Sequence, residues 1–207
     1  MKRKNWTVVA GIVILGIGSL GFVWIIRRMP ATPIAASGGM SSEIRFEDAP
    51  FYLQTDARWA HDRLGNTGAS LASEGCTVCS LSMALAYYGV DLTPKALNVA
   101  LTEKGGYTDK GWLIWKRVSE VTDDQIEVGV PRQAKHALID EALQARQPVL
   151  AKVMLNAIVP HWVLIVGKSG GDYLMKDPLG NGMSLEKLSK YQSDIYAIRI
   201  VQPKSRH

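Results

Sequence analysis

The hydrophobic period of this chain changes once, and that change limits the folds open to it. Up to residue 147 most apolar positions recur at helical spacing; from Pro148 onward they form short runs of strand length. A first helix is expected from Cys76 to Tyr88, where Val78, Leu81 and Leu85 repeat and Gly89 supplies the stop. Thr93-Pro94 reads as an N-cap followed by proline at the first helical position, and Gly105-Gly106 ends that helix. "GWLIWKRVSE" (111–120) is expected as a short helix and "QIEVGV" as a strand. "RQAKHALIDEALQARQ" (132–147) is amphipathic, with Ala134, Leu138, Ala142 and Ala145 on one side. Strands are then expected at 148–155, 161–169, 172–178 and 194–201. Helices first and antiparallel strands after make an α+β fold rather than alternating βαβ units.

The amino terminus obeys a different rule. From Trp6 to Ile26 no residue carries a charge. As a helix these 21 residues would extend about 31 Å, the thickness of a bilayer core, with Trp6 and Trp24 near the two interfaces. The reading is a transmembrane anchor with basic flanks over residues 1–28. A secretory signal peptide is the alternative, with "PIAAS" (33–37) as its cleavage site, but its apolar region would be shorter and would not run into Arg27-Arg28. Lys2, Arg3 and Lys4 place the N-terminus in the cytoplasm and the rest of the chain outside it, single-pass in the cell membrane. Residues 29–42, rich in Pro, Ala, Gly and Ser, read as a flexible linker, and 43–207 as one domain.

Charge excludes one class of partner. The net charge is +5, but Lys2, Arg3, Lys4, Arg27 and Arg28 account for it. The remaining 19 basic residues balance the 19 acidic ones, so no basic stripe is left to bind nucleic acid.

Both cysteines stand in "SEGCTVCSLSMALAYYG". A thiol on the first turn of a helix faces unpaired N–H groups and the positive end of the helix dipole, both of which favour thiolate. Cys76 occupies that place. A nucleophile also needs a base, and the base an orienting group. His161 opens an apolar strand, and the next strand ends in Asp177. A three-residue "SGG" hairpin would pair Val163 with Asp177 and set His161 on the same face, within side-chain reach; a two-residue loop would separate them.

At these residues the chain resembles a known family. "GCTVCSLSMALAYYG", "PHWVLIVG" and "YLMKDPLG" are similar to the nucleophile, histidine and aspartate motifs of papain-like cysteine peptidases. The match is to the bacteriocin-leader (double-glycine) peptidases, cysteine peptidase family 39, in their stand-alone form. "FYLQTDARW" (51–59) resembles that family's upstream glutamine motif, so the resemblance covers about residues 50–180. It implies a papain-like fold in which Cys76 is the nucleophile, His161 the general base and Asp177 its orienting group. Gln54 and the Cys76 N–H would then bind the oxyanion. The chain departs from the family at Thr77-Val78-Cys79, where a Gly-Pro-Thr-like stretch is usual. No metal or organic cofactor is implied, and the expected partner is a peptide or protein substrate.

The competing class is a membrane-tethered thiol–disulfide oxidoreductase using Cys76 and Cys79. It would need a strand leading into the C-x-x-C, whereas "LGNTGASLASEG" reads as loop, and it leaves His161 and Asp177 unused. A third reading is a triad fold that binds or transfers acyl groups without hydrolysis. Trp112, Trp115 and Trp162 are expected in the core, with Trp162 as a shield for the triad and a cleft lining as the alternative for all three; Cys79 is expected as packing. Gly38-Gly39 reads as part of the linker rather than a self-cleavage site.

Overall fold

The computed structural model describes residues 32–46 and 48–205. The span expected at 6–26 lies outside the described residues; among those described, no helix is long and apolar enough to cross a membrane.

In chain order the elements are β1 (Ser37–Arg45), α1 (Leu71–Glu74), α2 (Cys76–Tyr87), α3 (Pro94–Glu103), α4 (Arg117–Val121), β2 (Ile126–Gly129), α5 (His136–Gln144), β3 (Val149–Leu155), β4 (Val159–Lys176), β5 (Glu186–Lys187), a 3-10 turn (Leu188–Tyr191) and β6 (Ala197–Pro203). The sheet runs β1-β4-β3-β6-β2, with β5 pairing β4, and every pairing is antiparallel. This is the α+β arrangement expected from the change of period.

The local signals act where the sequence puts them. Thr93 caps α3 by accepting from the Ala96 N–H, with Pro94 at the first helical position. Asn156 and Ala157 both take positive φ (49° and 64°) in the three-residue connection between β3 and β4, whose last pair is Leu155↔Val159, and this left-handed backbone closes the tight hairpin. α2 buries nine of its residues, Cys76, Val78–Leu85 among them. A helix apolar on nearly all sides belongs in the middle of a core, and α2 packs on β4 and α3.

Three expectations are corrected. The linker expected through residue 42 ends sooner, because β1 begins at Ser37 and pairs with β4 (Glu43↔Ser169, Ile44↔Lys168). Small residues here serve close approach: Gly39 has φ +72° and a Cβ would press into the Asp140 carboxylate. Lys168, fully buried, donates to Asp140 (2.5 Å) and to the Gly38 carbonyl (2.6 Å), so the double glycine is tied into the fold. The helix expected over 111–120 covers only Arg117–Val121; Gly111 sits at φ +74° in a turn ahead of it. Trp112 follows that turn and is 66% exposed rather than in the core, with the Lys110 ammonium 5.3 Å from its ring centre.

The hairpin also differs in detail. Ser169 and Gly170, expected in its loop, pair with β1, and β4 is one 18-residue strand. Yet the chain doubles back there. Lys168 Nζ lies 4.7 Å from the Tyr173 ring centre, and His161 meets Asp177. Sixteen residues fully extended would separate that last pair by about 53 Å. Gly170, at φ +60°, provides the reversal.

Candidate active site

Cys76 is the first residue of α2, preceded by the N-cap Gly75. The Gly75 N–H reaches the Leu71 carbonyl (2.8 Å), and a Cβ at 75 would press into that same oxygen. Glycine therefore lets α1 run directly into α2 and sets the nucleophile's position. The thiol is 8% exposed. Its neighbours are the His161 ring, the Trp162 N–H and the Thr77 hydroxyl, whose oxygen is 4.0 Å from Sγ.

His161 lies near the start of β4, and Asp177 follows its last residue. The strand's reversal brings His161 Nε2 to 2.7 Å from Asp177 Oδ1, with both side chains buried. With Nε2 committed to the carboxylate, Nδ1 is the ring nitrogen left for Cys76. Asp177 is saturated in turn. It accepts from the Leu179 N–H (2.9 Å), from Lys190 (2.9 Å) and from the Tyr191 hydroxyl. The Tyr191 ring also stands edge-on to His161, with centroids 5.7 Å apart. Imidazole and carboxylate are thus clamped from several sides.

The electrostatics follow from that packing. Burial pushes the Cys76 thiol up, but the His161 hydrogen bond and charge, the Trp162 N–H and the Thr77 hydroxyl outweigh it and leave it below its ordinary value. Burial disfavours the His161 imidazolium, yet Asp177 and Cys76 raise it to about 9. Burial likewise opposes the Asp177 charge, and the hydrogen bonds from His161, Tyr191 and Leu179 hold the carboxyl well below the usual range. The arrangement favours a thiolate–imidazolium pair at neutral pH.

Gln54 is 3% exposed and lies against the same site. Its Nε2 donates to the Ala72 carbonyl (2.6 Å), one turn ahead of Cys76, and its backbone N–H donates to Pro178, next to Asp177 (3.0 Å). One amide hydrogen is thereby used and the second is not, while Oε1 is buried without a partner among the described residues.

Cys79 shares the burial of Cys76 but lacks its partners. It is fully buried, and burial, with the Cys76 charge and Asp56 adding to it, pushes its thiol far above the ordinary value. Both cysteines are free thiols. No group of His, Cys, Asp or Glu among the described residues could hold a metal ion.

The four residues singled out in the sequence therefore converge. Sequence reasoning missed Tyr191 and Lys190, which stand in a turn 14 and 13 residues beyond Asp177 with no periodicity to mark them. It also missed the Trp162 backbone as a partner of the thiol.

Compared with known proteins, the sequence matches no family model and no curated protein. The fold matches a solved one. A structure from Bacillus anthracis described as that of a "putative C39-like peptidase" superimposes with a TM-score of 0.50 at 13% identity, covering 79% of this chain and 100% of that one. This chain has a C39-like peptidase fold. The likeness is one of architecture, and it agrees with the family that the sequence motifs resemble.

Proposed function

We propose that this chain is a cysteine peptidase or related amide hydrolase. The observation that carries the reading is the buried line Cys76–His161–Asp177 at the start of α2, with the thiol lowered and the imidazole raised. In this reading the Cys76 thiolate attacks a peptide or amide carbonyl. The oxyanion is met by the Cys76 N–H, which has no carbonyl one turn back within α2, and by the unused Gln54 amide hydrogen. His161 then gives its proton to the leaving amine, and water, deprotonated by the same imidazole, hydrolyses the thioester. Asp177 keeps the ring oriented and charged.

The oxidoreductase alternative is disfavoured by Cys79. A resolving thiol that must exchange with a partner cannot be fully buried with its ionisation suppressed. The reading keeps residues 1–28 as a membrane anchor and the catalytic domain outside the cytoplasm, supported by the uncharged stretch and its basic flank.

The test is labelling of the full-length chain by peptidyl electrophiles, mapped by mass spectrometry, together with hydrolysis of a peptide library. The expected result is an adduct on Cys76 alone, and turnover lost in Cys76→Ala. Turnover that survives Cys76→Ala refutes the reading.

A further inference from the structure

The carboxylate that orients His161 serves two cations at once. Asp177 Oδ1 accepts from His161 Nε2 (2.7 Å), and Oδ2 accepts from the Lys190 ammonium (2.9 Å). Lys190 also donates to Glu186 (2.8 Å), four residues earlier in the chain. The result is a row of alternating charge, imidazolium–carboxylate–ammonium–carboxylate, that leads outward from the site. The Asp177 side chain is fully buried, while those of Lys190 and Glu186 are 34% and 24% exposed.

Local structure fixes the outer end of that row. Glu186 lies on β5, which pairs with the end of β4 (Leu174↔Lys187, Met175↔Glu186), and Lys190 lies in the 3-10 turn that follows. Glu186 also accepts from the Asn181 N–H (3.3 Å), and a Cβ at Gly180 would press into its carboxylate and into the Asp177 side chain. The loop after Asp177 is therefore drawn against the same acid that holds Lys190. A surface lysine with one acid gains little, because its long side chain must be ordered. Lys190 is held between two acids, one of them dry, and its ammonium has a defined place.

The titratable groups around His161 and Asp177 come from β4 itself, from α2 (Cys76), from β5 (Glu186) and from the 3-10 turn (Lys190 and Tyr191). Among them Lys190 is the group that sets a second positive charge beside the imidazolium. A carboxylate shared with another cation attracts the imidazolium less than one that faces it alone. Burial lowers the ammonium, but Glu186 and Asp177 outweigh it and leave it above its ordinary value, so the sharing persists while His161 titrates. A general acid must give its proton up, and it works best when its pKa lies near the working pH. We propose that Lys190 is a positioning residue for the Cys76–His161–Asp177 line: by sharing the Asp177 carboxylate it keeps the His161 proton transferable to the leaving amine. The proposal rests on the hydrolase reading and adds a residue that acts through Asp177 rather than on the substrate.

The test reads two quantities in the full-length chain: the pH at which the His161 ring loses its proton, by NMR, and the pH profile of peptide hydrolysis. Lys190→Gln keeps a hydrogen-bond donor and removes the charge. It should move the His161 midpoint upward from about 9 by roughly half to one pH unit. The basic limb of hydrolysis should move with it, and the rate at neutral pH should fall severalfold. Lys190→Arg, which restores the cation, should bring both back towards the wild type. Glu186→Gln should shift the midpoint downward, because the ammonium then turns wholly to Asp177. A lysine that merely holds the carboxylate in place predicts the opposite sign for Lys190→Gln, since a displaced Asp177 would leave the imidazolium without its anion. A midpoint that falls or stays unchanged in Lys190→Gln therefore overturns the proposal. Should that variant fail to fold, a midpoint that does not fall in Glu186→Gln overturns it instead. A wild type that hydrolyses no peptide overturns the hydrolase reading, and the role of Lys190 with it.

Discussion

Replacing His161 by alanine should switch off the Cys76 thiolate, and the size of the effect follows from the burial of the site. In the folded chain burial alone would raise the thiol, and His161 is the largest of the influences that lower it. Without the imidazolium the Cys76 pKa should return to the ordinary value of about 8.5 or rise above it. At pH 6.5 the thiolate fraction would then be about one part in a hundred or less. A wild-type thiol already ionised at that pH should therefore alkylate about 100-fold faster than the variant, equivalent to two pKa units or about 2.7 kcal/mol. The assay is iodoacetamide incorporation at Cys76 between pH 5 and 9, read by mass spectrometry, with circular dichroism confirming that the variant is folded. The wild type should reach its plateau well below pH 8.5. Hydrolysis should decline again as pH rises through about 9, where His161 loses the proton that the leaving amine needs. Rates at pH 6.5 that agree within about threefold between the two proteins would refute the ion pair, because a factor that small is under 0.7 kcal/mol.

Three further outcomes test the surroundings of that pair. Tyr191→Phe removes a hydroxyl that donates to the Asp177 carboxylate. It should cost about 1.5–3 kcal/mol in denaturant unfolding and raise the His161 pKa in NMR titration, since a carboxylate relieved of one donor is a stronger acceptor for the imidazolium. Cys79→Ser should largely preserve hydrolysis while costing about 1–3 kcal/mol of stability, because it places a hydroxyl in a fully buried site; turnover reduced as far as in Cys76→Ala would mean that Cys79 takes part in the chemistry. Gly75→Ala forces a methyl against the Leu71 carbonyl and must shift the junction of α1 and α2. Turnover should fall by tenfold or more, because a displacement of about 1 Å at the nucleophile is costly, and unchanged kinetics would show that the junction does not position Cys76.

Local chemistry was legible because it depends on neighbours in the chain. The cap at Thr93-Pro94, the helix at Cys76 and the strand at 149–155 come from hydrogen bonds and periodicities a few residues long. β1 was not legible for the opposite reason. Its glycines and serines have no strand propensity of their own, and they become a strand through pairing with β4 and through the buried Lys168–Asp140 contact. Trp112 shows the same limit: composition assigns an indole to the core, and the turn at Gly111 leaves it outside.

The candidate site divides along that line. By itself the sequence nominated its members: Cys76 at a helix start, His161 at a strand start and Asp177 at a strand end by residue type and position, and Gln54 by resemblance to a family motif. Tertiary structure decided what those groups are. Only the reversal of β4 brings Asp177 to His161. Only the turn at 188–191 adds Tyr191 and Lys190 to the carboxylate. Only the packing of α2 against β4 gives Cys76 the His161 partner that lowers it, while Cys79, three residues on, is left to burial and neighbouring negative charge, which raise it. Ionisation depends on burial and on charges brought close in space, and sequence spacing records neither.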